Sequence, residues 1–240
     1  MTIVILTAMP EELAAITSAI EQPVQRTAAG RQITEGRIAG EPVAAAFSRW
    51  GKVSAAATAS HLLTALTPSC VVFTGIAGAL RDELAVGDFV LARDLYQHDL
   101  DASPFFPPTQ VPLLERAALP TDEPLTGALE RSLRRVLERE PPGDSRPRIW
   151  RADIATGDQV IGSRGARAAV SARVPRAACV EMEGAAVAQV CFEYSVPFAC
   201  VRMISDRADE SLSPTEVFDL ARRSGGLMAA MLQDWLTDRG

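Results

Sequence analysis

The chain has 240 residues, of which 48% are hydrophobic and 22% charged, and its formal net charge is −6. This composition is typical of a globular protein that buries a large core without disulfides. Lys and Arg are scattered along the chain and do not form the basic surface that a nucleic-acid backbone requires, so we expect no nucleic-acid partner.

The cysteines, the histidines and the N-terminus narrow the class further. The four cysteines stand in apolar segments without C-x-x-C spacing, and there are only two histidines, so we expect no disulfide framework, metal or other cofactor. The N-terminal apolar run has no basic segment before it and is too short for a signal peptide or a membrane span. The sequence therefore predicts a cytoplasmic protein without a membrane partner.

The first half of the chain alternates strands and helices. The β-branched run at 2–6 predicts a strand, Pro10 begins a helix, and 31–48 predicts a hairpin that turns at Gly40. The remaining predicted elements of this half are a helix at 51–66, a strand at 70–75, a glycine-containing turn at 76–80, a strand at 88–92 and a proline-rich loop at 97–120. Loops of that length are usually functional or lie at an interface.

The second half continues the alternation. Its predicted elements are an amphipathic helix at 125–140, a strand at 150–157, a helix at 163–174, a strand at 178–181, a helix at 184–194, a strand at 198–204 and a C-terminal helix from about 213. This order indicates the α/β class, as a three-layer α/β/α sandwich with a mixed, largely parallel central sheet. Because no linker or repeat interrupts the order, we expect residues 1–240 to form a single domain.

Acidic residues stand near the ends of three predicted strands. Glu181 and Glu183 lie one residue apart in the otherwise apolar segment ACVEMEGAAVA (178–188), and Asp206 follows the last strand. Glu12 opens the first helix. Each position has an ordinary explanation, since carboxylates favour the first turn of a helix and also cap helices and turns.

The shared location of these carboxylates gives them a second explanation. Ligands of open α/β sheets bind beyond the carboxyl ends of the strands, where a ligand with hydroxyl groups could satisfy buried glutamates. The same sheet edge is expected to hold few lysines and no histidine. The pattern therefore favours acid–base chemistry on a neutral or cationic substrate over phosphate binding.

Seven segments make the sequence similar to a known family. They are AMPEEL (8–13), GKVSAA (51–56), TGIAGAL (74–80), VGD (86–88), TGDQVIG (156–162), VEMEGAAVA (180–188) and VPFACVRMISDRAD (196–209). Over nearly its whole length the chain resembles the purine nucleoside phosphorylase and nucleosidase superfamily and, within it, the 5′-methylthioadenosine/S-adenosylhomocysteine nucleosidases. The resemblance implies the nucleoside phosphorylase-like fold. It also implies hydrolysis of the N-glycosidic bond of a 5′-substituted purine nucleoside to free adenine and a 5-thioribose.

The resemblance implies two catalytic residues. Asp206, which follows Ser205, matches the acid that protonates the purine at N7. Glu12 matches the carboxylate that orients and deprotonates the attacking water. Cleavage of an N-glycosidic bond builds positive charge on the ribose, and carboxylates suit that chemistry without a metal.

The resemblance also implies the residues that bind the substrate: Met9, Trp50, Ile76, Val160, Ile161, Glu181, Met182, Glu183 and Ser205. Glu183 matches the ligand of the ribose hydroxyls, with Met182 packed on the sugar and Glu181 nearby. The backbone at 160–161 matches the strand that recognises the adenine edge. Met9 and Trp50 fall where the family packs the sugar and the 5′-substituent.

The proline-rich loop is implied to act across a subunit interface. Phe105 and Pro112 match residues that a second subunit contributes to its neighbour's pocket. The resemblance therefore implies a homodimer that binds a small molecule, a purine nucleoside.

Three positions depart from the family pattern. Ile76 stands where these nucleosidases commonly have serine, and Val160 replaces an aromatic residue that stacks on the purine. Trp50 replaces a smaller aliphatic residue and narrows the 5′ pocket. These departures bear on the choice of substrate more than on the type of reaction.

Three alternatives remain open. A phosphorylase would share the fold and the ribose site, but residues 1–13 hold no basic residue for phosphate, and Glu12 would repel it. A futalosine hydrolase can carry a similar GIAGA turn and is the main alternative for the substrate. A non-catalytic nucleoside-binding protein would need neither Glu12 nor Asp206.

Overall fold

The computed structural model describes residues 1–141, 146–209 and 213–239. In this part of the chain the strands are β1 (Ile3–Thr7), β2 (Glu21–Ala28), β3 (Arg31–Ile38), β4 (Glu41–Phe47), β5 (Cys70–Ala79), β6 (Phe89–Gln97), β7 (Leu119–Pro120), β8 (Ile149–Thr156), β9 (Ala177–Glu181) and β10 (Phe198–Asp206). The helices are α1 (Pro10–Ser18), α2 (Lys52–Leu66), α3 (Glu123–Arg139), α4 (Arg164–Arg173), α5 (Gly184–Glu193) and α6 (Pro214–Thr237).

The strands form one mixed sheet that closes on itself at one end. Its order is β2–β3–β4–β1–β5–β9–β8–β6–β10, β7 pairs with β6, and β10 also pairs with β5. The pairs β4–β1, β1–β5 and β5–β10 are parallel. Strands β5 and β9 pair antiparallel through Gly78–Val180 and Ala79–Cys179, so that their carboxyl ends meet. The closure brings strand ends from distant parts of the chain together.

Helices cover both faces of the sheet, which confirms the three-layer α/β/α sandwich. Helices α2 and α5 pack on one face, and α1, α3 and α6 pack on the other. The strands between them are nearly continuous apolar runs, as expected for strands buried on both faces. Within the described residues, we find no helix with the length and apolar character needed to cross a membrane.

Two predicted boundaries were wrong, and one strand was missed. The turn expected at 76–80 is the end of β5, because this segment pairs with β10 and then with β9. Strand β6 continues five residues beyond 92, because it pairs with β8 as far as Gln97. Strand β2 was missed, since it is an exposed edge strand without an apolar face and pairs only with β3.

Candidate active site

A cavity of about 330 Å³ lies at the carboxyl ends of β1, β5, β9 and β10. Its lining combines strand ends, the turn after β8 and one side of α6: Ala8, Met9, Trp50, Ile76, Ala77, Gly78, Gln159, Val160, Ile161, Val180, Glu181, Met182, Glu183, Ser205, Asp206, Val217 and Phe218. The volume suits one small ligand, and an apolar wall with a few converging polar groups is typical of small-molecule sites. The structure therefore brings together all nine implied substrate-binding residues and Asp206.

At the wall of the cavity, Glu181 is bound to the fully buried Arg202. Its Oε2 accepts hydrogen bonds from Arg202 Nη2 at 2.8 Å and from the backbone N–H groups of Gly184 at 2.8 Å and Glu183 at 3.1 Å. Its Oε1 accepts from Thr156 Oγ1 and from the N–H of Gly184 at 3.0 Å. Protein donors thus engage both oxygens, so Glu181 lines the cavity without needing a ligand to satisfy it.

Glu183 is held differently. Its Oε1 accepts a hydrogen bond from the backbone N–H of Gly51 at 2.8 Å, and only 3% of the residue is exposed. Burial, followed by the negative charge of Glu181, raises the pKa of Glu183 to about 8. A buried carboxylate with one anchored oxygen at a cavity wall is suited to accept hydrogen bonds from ligand hydroxyl groups.

Glu12 lies behind the wall formed by Ala8 and Met9. Its Oε2 accepts from the backbone N–H groups of Ala8 at 3.1 Å and Met9 at 3.0 Å. Its Oε1 is buried and has no hydrogen-bond partner within the described residues. Burial raises the pKa of Glu12 to about 7, against the lowering effects of Arg202 and of the N–H groups of Met9, Ala8 and Ile76. A buried carboxyl with a pKa near neutral can serve as a general base.

Glycine at position 75 allows Glu12 and Arg202 to approach each other. A Cβ there would lie 3.3 Å from Glu12 Oε2 and 3.4 Å from Arg202 Nη1. The guanidinium of Arg202 also lies 4.2 Å from the centre of the Phe73 ring. Arg202 therefore forms an ion pair with Glu181, and its positive charge also acts on Glu12. Both interactions offset part of the cost of burying the two carboxyl groups.

Asp206 stands at the end of β10 and lines the cavity. Its Oδ2 accepts from Ser205 Oγ at 2.7 Å, and its Oδ1 accepts from the N–H of Ala208 at 2.7 Å. A Cβ on Gly78 would lie 2.9 Å from Asp206 Oδ1. The glycine in β5 thus leaves room for the carboxylate to turn into the cavity.

Apolar side chains form another part of the wall. Trp50 is 60% exposed, and its Nε1 donates a hydrogen bond to the carbonyl of Ala8 at 2.9 Å. Val160 is also exposed, whereas Ile161 and Met9 are buried. The indole of Trp50 therefore has a fixed position at the rim of the cavity.

The two residues implied to serve a second subunit lie outside this cavity. Phe105 is 85% exposed, and Pro112 is half-buried in the same loop. Neither of them lines the cavity of its own chain.

Sequence reasoning missed Arg202, although there was a signal for it. A charged residue inside the apolar strand FACVRMIS must find a buried partner, and only the fold identifies that partner as Glu181. Val217 and Phe218, which complete the wall from α6, carried no such signal.

The expectation of no histidine at this edge was wrong. Strand β6 runs as far as Gln97 and places the buried His98 beside the end of β8. A Cβ on Gly157 would lie 2.2 Å from His98 Nε2, so the ring packs directly against the turn after β8. Within the described part of the chain, no group of three His, Cys, Asp or Glu side chains is arranged to hold a metal ion.

Comparisons with known proteins identify the family of the chain. A family model described as the phosphorylase superfamily matches residues 2–236, so the chain belongs to that superfamily. A 5′-methylthioadenosine/S-adenosylhomocysteine nucleosidase of Shewanella sediminis is 32% identical over 232 residues, which is 97% of each chain. Within the superfamily, the chain is a member of the 5′-methylthioadenosine/S-adenosylhomocysteine nucleosidase family.

Solved structures are similar over almost the whole length. The nucleosidase of Colwellia psychrerythraea 34H, in complex with adenine, is 28% identical with a TM-score of 0.89, over 98% of this chain and 94% of that one. A futalosine hydrolase mutant of Helicobacter pylori is 27% identical with a TM-score of 0.87, over 99% of both chains.

Proposed function

We propose that the protein hydrolyses the N-glycosidic bond of 5′-methylthioadenosine and S-adenosylhomocysteine, releasing adenine and a 5-thioribose. The observation that carries this proposal is a single cavity that Glu183 and Asp206 line, with the buried carboxyl group of Glu12 bound to the backbone of its wall at Ala8 and Met9. Ribose binding alone would require neither Glu12 nor Asp206. Membership of the nucleosidase family supports the same reaction.

In the proposed mechanism, Asp206 donates a proton to N7 of the purine while the bond between C1′ and N9 breaks. The electron pair of that bond passes to the base, and positive charge develops on the ribose. Glu12 takes a proton from water, whose oxygen forms the new bond to C1′. The protons therefore balance, since one carboxyl loses a proton and the other gains one.

Glu183 is proposed to accept hydrogen bonds from the ribose hydroxyls, with Met182 and Met9 packed against the sugar. The backbone at 160–161 is proposed to bind the edge of the base. Trp50, at the rim of the cavity, would border the 5′-substituent.

Hydrolysis is favoured over phosphorolysis by the charges of the site. Arg202 is fully buried and is already bound to Glu181. Glu12 and Glu183 place further carboxyl groups where a phosphate would have to approach. The described residues that line the cavity include no lysine, arginine or histidine to attract phosphate, and these carboxyl groups oppose it by like charge wherever they are ionised.

The test is an assay for free base with 5′-methylthioadenosine, S-adenosylhomocysteine, inosine and futalosine, each with and without phosphate. We expect adenine from the first two at rates that do not depend on phosphate. Asp206→Asn should lower kcat by about 10²–10⁴-fold, which is the usual contribution of general acid catalysis. A phosphate requirement with formation of ribose 1-phosphate would contradict the proposal, and preferential cleavage of futalosine would reassign the substrate.

We also propose that the protein works in the cytoplasm as a homodimer. The match of Phe105 and Pro112 to residues that the family contributes across a subunit interface supports dimerisation, and the ring of Phe105 is exposed and available for such a contact. Phe105 and Pro112 of each subunit would then complete the neighbour's cavity.

A further inference from the structure

The N-terminus of α2 holds two carboxylates side by side. The N–H of Gly51 donates to Glu183 Oε1 at 2.8 Å, and the N–H of Lys52 donates to Asp158 Oδ1 at 2.7 Å. These consecutive donors face residues that lie 132 and 106 positions away in the sequence. Asp158 belongs to the turn after β8, two residues before the backbone proposed to bind the base. The helix N-terminus thus joins the proposed ribose ligand to the proposed base-binding turn.

Asp99 closes this arrangement into a ring of hydrogen bonds. Its Oδ2 accepts from the N–H of Asp158 at 2.9 Å, and its Oδ1 accepts from Lys52 Nζ at 2.6 Å. The side chains of Lys52 and Asp99 are 16% and 26% exposed. Burial acts to raise the pKa of Asp99, but Lys52 and the N–H of Asp158 lower it overall. Asp158 is therefore held through both its side chain and its backbone.

Two glycines fit the turn closely against its neighbours. Gly51 has a φ of +84°, and a Cβ on it would lie 3.1 Å from Asp158 Oδ1. On the other side, Gly157 packs against the ring of His98. Because backbone atoms meet side chains directly at both points, the turn has little freedom to shift while the ring of hydrogen bonds is intact.

We propose that Asp158, held by Lys52 and Asp99, is a positioning residue that sets the distance between the base-binding turn and Glu183. This inference rests on the proposed function. Cleavage of an N-glycosidic bond requires the base and the ribose to be held in one relative geometry, and a misplacement of about 1 Å can cost about 100-fold in rate. The ring formed by Lys52, Asp99 and Asp158 fixes the base-binding turn to the N-terminus of α2, where the N–H of Gly51 holds Glu183.

A purely structural role leads to a different expectation. Partly exposed ion pairs usually contribute little to the free energy of unfolding. If the ring only contributed to the stability of the fold, its loss would change kcat/KM for all substrates by the same factor. A positioning role would change how the enzyme distinguishes substrates that differ at the ribose.

The test compares Asp158→Ala and Asp158→Asn with wild type on 5′-methylthioadenosine and its 2′-deoxy counterpart. Asp158→Ala should lower kcat/KM for the ribonucleoside by about 10–100-fold. The loss for the 2′-deoxy substrate should be several-fold smaller, because that substrate gains less from a correctly placed Glu183. Asp158→Asn keeps an oxygen acceptor for the N–H of Lys52, so it should stay within about threefold of wild type.

Asp101→Ala is the matched control. Asp101 lies two residues from Asp99 and forms an exposed ion pair with Arg173, outside the ring. This variant should retain wild-type kinetics. An equal loss in Asp101→Ala, or an equal loss on both substrates in Asp158→Ala, would overturn the positioning role.

Equilibrium binding separates this proposal from the proposed function. In a Glu12→Gln background, Asp158→Ala should weaken binding of 5′-methylthioadenosine more than binding of its 2′-deoxy counterpart. That result would support the positioning role even if wild-type protein released no base, an outcome that would itself refute the proposed function. Equal weakening of the two ligands, or no binding of either, would refute the positioning role.

Discussion

At the scale of single residues, the site is set by carboxyl groups that burial keeps from ionising easily. The pKa of Glu12 is raised to about 7 and that of Glu183 to about 8, mainly because both side chains are removed from water. A general base must be ionised to accept a proton from water. Protonation of Glu12 below its pKa would therefore remove the proposed base, and protonation of Glu183 would weaken its bonds to ribose hydroxyls.

The resulting prediction is that kcat/KM for 5′-methylthioadenosine has a rising limb, on which activity increases with pH, between about 7 and about 8. Because kcat/KM reports ionisations of the free enzyme, a pH–rate profile measures them, as apparent values that belong to the interacting pair. Glu12→Gln should lose activity at every pH but still bind substrate. A wild-type profile that stays flat from about pH 5.5 to about pH 8.5 would contradict the assignment of Glu12 as the general base.

At the scale of elements, the placement of Glu12 depends on the contact between α1 and α6. A Cβ on Gly225 of α6 would lie 2.9 Å from the Cα of Glu12 and 3.0 Å from its carbonyl oxygen. These are backbone atoms, so the helices would have to move apart to admit a methyl group. Gly225→Ala should lower the free energy of unfolding by about 1–3 kcal/mol and also reduce activity, because α1 carries Glu12.

The neighbouring glycine provides the control for this prediction. A Cβ on Gly226 has no atom within 4 Å, so Gly226→Ala should be neutral or stabilise the protein by about 0.5–1 kcal/mol. Chemical denaturation and initial rates of the two variants test the contrast. If the two substitutions behave alike, the close packing of α1 on α6 does not position Glu12.

At the scale of the whole molecule, one sheet contains strands from β1 to β10, and we propose that residues 1–240 fold as a single domain. The proposed homodimer would then complete each cavity with Phe105 from the neighbouring subunit. This arrangement predicts complementation between two damaged subunits. The subunit with Phe105→Ala still carries Glu12, whereas the subunit with Glu12→Gln still carries Phe105.

Each variant alone should therefore be a dimer of low activity, but their coexpression should restore activity in mixed dimers. In a mixed dimer, the subunit that carries Phe105→Ala keeps Glu12 and receives an intact Phe105 from its partner. Light scattering together with an assay of adenine release measures both properties. A monomeric wild-type protein, or mixed dimers with no more activity than the sum of the two variants, would show that Phe105 does not act across an interface.

Much of the fold could be predicted from the sequence because its signals are local. Predicted strands that alternate with predicted helices indicated the layers of the sandwich. The segments VEMEG and VRMISD indicated the family, which the comparisons confirm. The same segments placed Glu183 and Asp206 at strand ends, where the structure has them. Their roles in binding and catalysis stay predictions until the variants are measured.

The sequence by itself determined which carboxylates stand at strand ends, since strand position and burial depend on neighbouring side chains. Only the tertiary structure decided which of them is satisfied internally. Arg202 binds Glu181 because the closure of the sheet pairs β10 with β5 and brings β9 to the same place. Glu183 instead receives one N–H from Gly51, which is 132 residues away, and faces the cavity. The charge state of a buried group depends on such distant partners and on the loss of water around it, and neither can be read from a local pattern.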